Sequence, residues 1–376
     1  MSHTPFRTDL AYHEDRAAGL LESALDGTPG AVAAFDGLPF TPDGARAALA
    51  RAHGAASWAE FVIMLGALAP TPFARAFRAV EAHDLDGLAA VLAAEPELVR
   101  RRGTNGNDLI GLAAATCDER TVRLLLDAGA PADSANVHGW TPLHQAGYAD
   151  LPLLARLLLD AGAPLDVSAR GDGGTPLVVA LFWGNVRVAG LLTAGPHPDN
   201  LRVAAGLGWL DRLCELLADP AAAGAHRGFY RPHGGFPRWR PSGDPAEVLD
   251  EALSWAARND RADAVTELVA AGARVDADVY RGTALGWAAA TGALDTVRRL
   301  LRLGADPNAR GTFGGPDHGV GVTALHLAAQ HGHAAVADEL LAAGADPMIR
   351  DDRHGGTAAG WAHHGGHPAL AERLDS

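Results

Sequence analysis

The sequence predicts an all-α solenoid, built from helix-turn-helix units joined by hairpin fingers, and three observations carry that prediction. One pattern recurs along the 376 residues at a spacing near 33: Asp108 to Thr141 is 33 residues, Thr323 to Thr357 is 34 and Glu251 to Thr283 is 32. The best copies open on Gly-x-Thr-Pro or Gly-x-Thr-Ala, where the threonine caps a first helix and a proline at its first turn loses no bonded N–H. Each copy then presents an apolar stripe that one hairpin cannot cover, so neighbouring copies must stack to bury it.

Each part of the unit follows from its residues. After the threonine come small residues such as Ala288 and Ala289, which let two helices approach closely. A second helix carries Val336, Leu340 and Leu341 on one face and stops at Gly344, a C-terminal capping position. The clearest copies are GWTPLHQAGYADLPLLARLLLDAGAPLD from Gly139, RGTALGWAAATGALDTVRRLLRLGADPN from Arg281 and GVTALHLAAQHGHAAVADELLAAGADP from Gly321. Weaker copies start at Gly106, Gly173, Leu249 and Gly355, and a less regular pair begins near Ala76. The copy around 199–219 is the most degenerate. Period and motif together resemble the ankyrin repeat, and an array of about nine units is expected over 71–376.

Residues 1–70 have a different pattern. DLAYHEDRAAGLLESALDG, TPDGARAALARAHG and SWAEFVIMLGAL read as amphipathic helices, with Thr41-Pro42 as a start and Gly27 and Gly54 as stops. ARAHGAASWAEF resembles a short helical element that precedes ankyrin arrays in bacterial proteins, so this stretch is expected to be an N-terminal helical capping region.

Composition narrows the function. A net charge of −14 repels phosphate backbones and anionic lipid heads at long range, which argues against a nucleic-acid partner. No stretch approaches eighteen uninterrupted apolar residues and the N-terminus is charged throughout, so neither a membrane span nor an export signal is expected. The two cysteines, Cys117 and Cys214, lie far apart in sequence and suggest no disulfide framework, which fits a cytoplasmic chain.

What the resemblance implies is a protein that binds a protein partner, with no cofactor. In ankyrin arrays the fingers and the C-terminal ends of the first helices line the concave side that contacts partners. Carried onto this chain, that surface includes Tyr148, Phe182, Trp183, Arg258 and His331 at helix ends, and His138 and Tyr280 at fingers. Trp255, Trp287 and Trp361 stand where other copies have leucine and are assigned to the stacked core. His144 and His326, in TPLH and TALH, are expected to bond backbone in the adjoining finger. The histidines of WAHHGGH from Trp361 and of QHGH from Gln330 lack converging zinc-ligand spacing, so no metal is expected.

Two insertions break the period, at 220–246 and 311–322. The longer runs HRGFYRPHGGFPRWRPSGDP, with Arg227, Arg231, His233, Tyr230 and Trp239, and no acidic residue falls between Asp219 and Asp244. Arginine and large aromatics are the residue types that anchor interfaces, so an acidic or amphipathic protein is the expected partner of residues 226–243 and the concave face. The shorter insertion brings Asp317 and His318. An alternative reading brings both insertions together as a pocket, with His233, Asp317 and His318 for acid–base work on a small anionic substrate held by Arg227 and Arg231. No nucleophile motif sharpens that alternative, and the chain is read as a non-enzyme.

Overall fold

A computed structural model describes residues 3–67, 71–169, 174–219, 244–279, 282–312 and 320–375. Four helices come first, Leu10–Leu25, Pro29–Phe35, Pro42–Ala52 and Trp58–Gly66. Nine helix pairs follow among the described residues: Pro72–Glu81 with Leu85–Ala94, Leu109–Ala115 with Glu119–Asp127, Pro142–Tyr148 with Pro152–Asp160, Pro176–Trp183 with Val186–Leu192, Leu201–Leu207 with Leu210–Ala218, Pro245–Arg258 with Ala262–Ala270, Ala284–Thr291 with Leu294–Arg302, Ala324–Gln330 with Ala334–Ala342, and Ala358–His364 with Pro368–Leu374. The irregular first pair starts at Pro72, capped by Thr71, rather than near Ala76. Within the described residues, contacts gather into two compact units, 3–180 with 187–197, and 181–186 with 198–219 and 244–375. No described helix is long and apolar enough to cross a membrane.

The helix starts obey the capping chemistry of the sequence. Asp108, Thr141, Asn200 and Thr283 each accept from the backbone N–H three residues on, at 2.9, 3.3, 3.0 and 3.0 Å. In the degenerate copy of 199–219 the cap is therefore Asn200. Glu251 departs further. Its helix begins six residues earlier at Pro245, capped by Asp244, so Glu251 lies inside a helix where other units have their capping threonine.

Stacking then follows from the small and apolar faces. In the second unit, first helices pack on first helices and second on second, around Ala256, Leu268, Ala288, Leu300, Ala328 and Leu340. Trp255 and Trp287 are buried in this stack, as their leucine positions require. His144 and His326 fix the fingers. The Nδ1 of His144 accepts from the Thr141 N–H at 3.1 Å, which leaves Nε2 to donate to the Gly174 carbonyl at 2.9 Å. His326 repeats this with Thr323 at 3.1 Å and Gly356 at 3.2 Å. Trp361 is half-buried and donates to Asp351, whose carboxylate also accepts from the backbone of Arg353, His354 and Gly356. Although burial raises it, these donors hold Asp351 down at about 2.

After each first helix the chain needs a left-handed residue to turn into the second. Gly184, Gly208, Gly292 and Gly332 supply it at φ between 72° and 74°, whereas Cys117, Asp150 and Asp260 adopt φ of 57°, 50° and 56°. The aspartates repay that strain. Asp260 accepts from the Thr296 amide and hydroxyl at 3.3 and 2.8 Å, and Asp150 from Arg187 Nε and the Val188 amide at 2.7 and 3.3 Å, so each ties its unit to the next. Cys117 is exposed and its thiol reaches only the carbonyl of Ala115, at 3.9 Å. Cys117→Gly is therefore expected to stabilise the chain by about 0.5 kcal/mol, the relief of left-handed strain less the extra freedom of unfolded glycine. Asp260→Gly is expected to destabilise it. Urea midpoints of the two variants check the pair, and opposite signs from those given would mean that strain does not govern this turn.

Candidate functional site

Helix Pro176–Trp183 delivers Phe182 and Trp183 at its last turn, and helix Pro245–Arg258 delivers Arg258 at the matching place. These residues meet in the second unit. Phe182 lies 5.2 Å from Trp183, 6.1 Å from Trp255 and 6.2 Å from Trp287, and Trp183 lies 6.4 Å from Trp287 between ring centroids. The Arg258 guanidinium sits 3.8 Å from the Trp287 centroid and 4.6 Å from that of Phe182. It also donates to the Phe182 carbonyl, the Ser254 carbonyl and the Ser254 hydroxyl. A cation with two aromatic faces and three acceptors is satisfied where it lies.

That arrangement divides the helix-end residues by depth. Phe182 and Arg258 are 1% and 2% exposed, so they support the surface from beneath. Trp183 is half-buried and its ring meets those of Phe182 and Trp287 edge to face. His331 is exposed and its ring lies 6.1 Å from that of His333, which in turn reaches the Ala290 carbonyl at 3.1 Å. In the first unit Tyr148 is 45% exposed and meets Trp140 edge to face at 6.1 Å. Arg227, Tyr230, Arg231, His233, Trp239, Tyr280, Asp317 and His318 lie outside the described residues. The shorter insertion is closed at its base, where Gly311 N–H donates to the Val322 carbonyl at 2.8 Å.

Two arrangements were not read from the sequence. Arg202 and Glu251 form an ion pair at 3.2 Å, with both residues buried in the second unit. Burial pushes the Glu251 carboxyl up to about 7, against the pull of Arg202 and with a further push from Glu247. Burial likewise lowers Arg202. The signal was present: Arg202 replaces the leucine of the Thr-x-Leu pattern, and Glu251 replaces its threonine. The second arrangement is the finger at 134–140. Its His138 ring is within hydrogen-bond distance of Ser23, at 2.7 Å, so this finger tip is in contact with the N-terminal helices.

The chain matches the family described as ankyrin repeats (3 copies) over residues 110–201 and 242–311, and a single ankyrin repeat over 320–352. It is an ankyrin-repeat protein. Ankyrin repeats are protein–protein interaction modules, and the helix pairs and stacked first helices described above are those of that solenoid. A stretch of 68 residues is 44% identical to a protein of Oryza sativa subsp. japonica named E3 ubiquitin-protein ligase XB3. The shared stretch is 18% of this chain and 15% of that relative.

Proposed function

We propose that this chain is a cytoplasmic binding or scaffold protein, without catalytic activity, that holds a protein partner of acidic or amphipathic surface against its first-helix ends and its long basic-aromatic insertion. The observation that supports this reading most is the half-buried Trp183 ring, which the Phe182 and Trp287 rings hold in place at a first-helix end. A large ring immobilised before binding loses little entropy on association, which is what an interface anchor needs. Tyr148 in the first unit and His331 in the second are proposed as further contacts, with Phe182 and Arg258 as positioning residues. Arg227, Tyr230, Arg231, His233 and Trp239, together with Tyr280, Asp317 and His318, complete the proposed contact set. Four arginines in a run free of acidic residues favour a partner that offers carboxylates.

The test compares intact chain with Trp239→Ala and Arg231→Ala, using a partner recovered from the native cell and then purified. Each change is expected to weaken binding by about 1–3 kcal/mol with little change in melting temperature, and Arg231→Ala to reduce the salt dependence. Normal binding by both variants, with several degrees lost in melting temperature, would make the insertion a structural lid and remove it from the interface.

A further inference from the structure

The N-terminal helices do more than follow the first repeat in space; they lie on two fingers of the first unit. The Asn105 side chain donates to the Arg16 carbonyl at 2.9 Å, and Ser23 meets His138. Thr104 Oγ1 meets His53 Nε2 at 3.2 Å, and Gly30 packs so closely that an added Cβ would lie 2.8 Å from the Val137 carbonyl oxygen. These contacts are largely polar. The apolar core of this region, from Ala17 to Leu65 around Phe35, Leu49 and Phe61, closes on itself, and Val137 is its one described member from the array. Lifting the helices off would therefore expose little apolar surface beyond that of Phe6 and Val137.

The contact is keyed by the His53 imidazole, with His13 packed behind it, and the packing favours both as neutral rings. His13 is fully buried, its Nε2 donates to the Arg7 carbonyl at 2.9 Å, and its Nδ1 is buried with no hydrogen-bond partner. His53 donates from Nδ1 to the His3 carbonyl at 3.0 Å, which leaves Nε2 to accept from Thr104. Its ring stacks on Phe61 at 4.9 Å and lies within 6.0 Å of the rings of His3 and His13. Residues 3–7 join both sides: the His3 amide donates to Ala52, the Thr4 amide to Arg102, and Phe6 stacks on Phe77 at 3.7 Å. Of the charged groups around the three rings, Asp9 favours charge on His13, and each has a partner of its own. Asp9 caps the Ala11 amide, Arg7 pairs with Glu81, Arg16 with Asp15, and Arg102 donates to the Gly106 and Ala135 carbonyls while repelling charge on His3. Tyr12 lies against His13 edge to face and is itself flanked by Arg7 and Arg16.

We propose that the N-terminal helices are a detachable intramolecular cover over the 102–107 and 134–140 fingers, latched by His53 and released by acidification. Burial lowers His3 and His13, and holds His53 down at about 4 against an ordinary 6.5. A base whose docked pKa is depressed favours docking fully above about pH 6.5, and the preference is lost as pH falls from there toward 4. At pH 5.5 His53 alone shifts the balance toward the released state about tenfold, and His3, on the segment that joins both sides, adds to it.

Hydrogen exchange on the full chain, corrected for the intrinsic pH dependence, tests this. Between pH 7.5 and 5.5 peptides covering 3–8, 102–107 and 134–140 are expected to exchange about tenfold or more faster, while 10–25 and 42–52 keep their protection as helices with their own core. Gly30→Leu, which obstructs the Val137 carbonyl without touching a histidine, is expected to give the same pattern at pH 7.5. Fingers still protected at pH 5.5, loss of the N-terminal helices in step with the fingers, or a Gly30→Leu chain with both fingers protected would each overturn the proposal.

Discussion

Glu251→Thr is expected to destabilise the chain by about 3–5 kcal/mol, although it restores the residue that caps this position in other repeats. The reason is the partner left behind. Arg202 is 2% exposed, a guanidinium does not give up its proton at any ordinary pH, and Glu251 at 3.2 Å is its ion-pair partner, fully anionic above about pH 8 where the comparison is made. Removing the carboxylate takes the 3.2 Å ion-pair partner from a buried cation that Glu247 also stabilises, whereas the intact pair only offsets the cost of desolvating both groups. Hence Arg202→Leu together with Glu251→Thr is expected to recover most of the loss, because leucine stands at the Arg202 position in the units of Thr141, Thr175, Thr283 and Thr323. A urea double-mutant cycle measures this. A loss in Glu251→Thr below about 1 kcal/mol, or a double variant no better than the single, would mean that the pair is not the compensated unit inferred from its burial.

The same pair shows where the sequence was legible and where it was not. Periodicity of about 33 residues, capping threonines and turn glycines are local, repeated signals, so helix pairs such as Ala284–Thr291 with Leu294–Arg302 followed from them directly. The early start at Pro245 was obscured because a helix that begins before its repeat position carries its cap, Asp244, within the stretch read as the long insertion. Helix-end residues were placed correctly along the helices, but their depth depended on neighbours far off in sequence. Arg258 and Phe182 are 76 residues apart and are drawn inward by each other and by Trp287. A charged residue at a surface register reads as exposed until the aromatic faces that receive it are known. Likewise, nothing periodic links Ser23 to His138, 115 residues away, so the covered finger could not be read from the pattern of either segment.

Leu300→Ala is expected to cost about 2–5 kcal/mol, and its neighbour Leu301→Ala less than about 1. Leu300 stands seventeen residues after Thr283, and Leu125, Leu158, Leu268 and Leu340 hold the same place after Asp108, Thr141, Glu251 and Thr323. All five are 0% exposed. In the second unit the helix carrying Leu300 packs against both Ala262–Ala270 and Ala334–Ala342, so its side chain fills the layer between successive second helices. Truncation there removes methyl groups from water-free packing and leaves a cavity that a close-packed stack closes only in part. Leu301 is only half-buried against that layer, so its truncation loses less transfer energy and leaves no enclosed void. Urea unfolding of the two variants separates register from mere hydrophobicity. If both cost the same, or Leu300→Ala costs less than about 0.5 kcal/mol, then the stacking register read from the repeat is wrong for this pair of units.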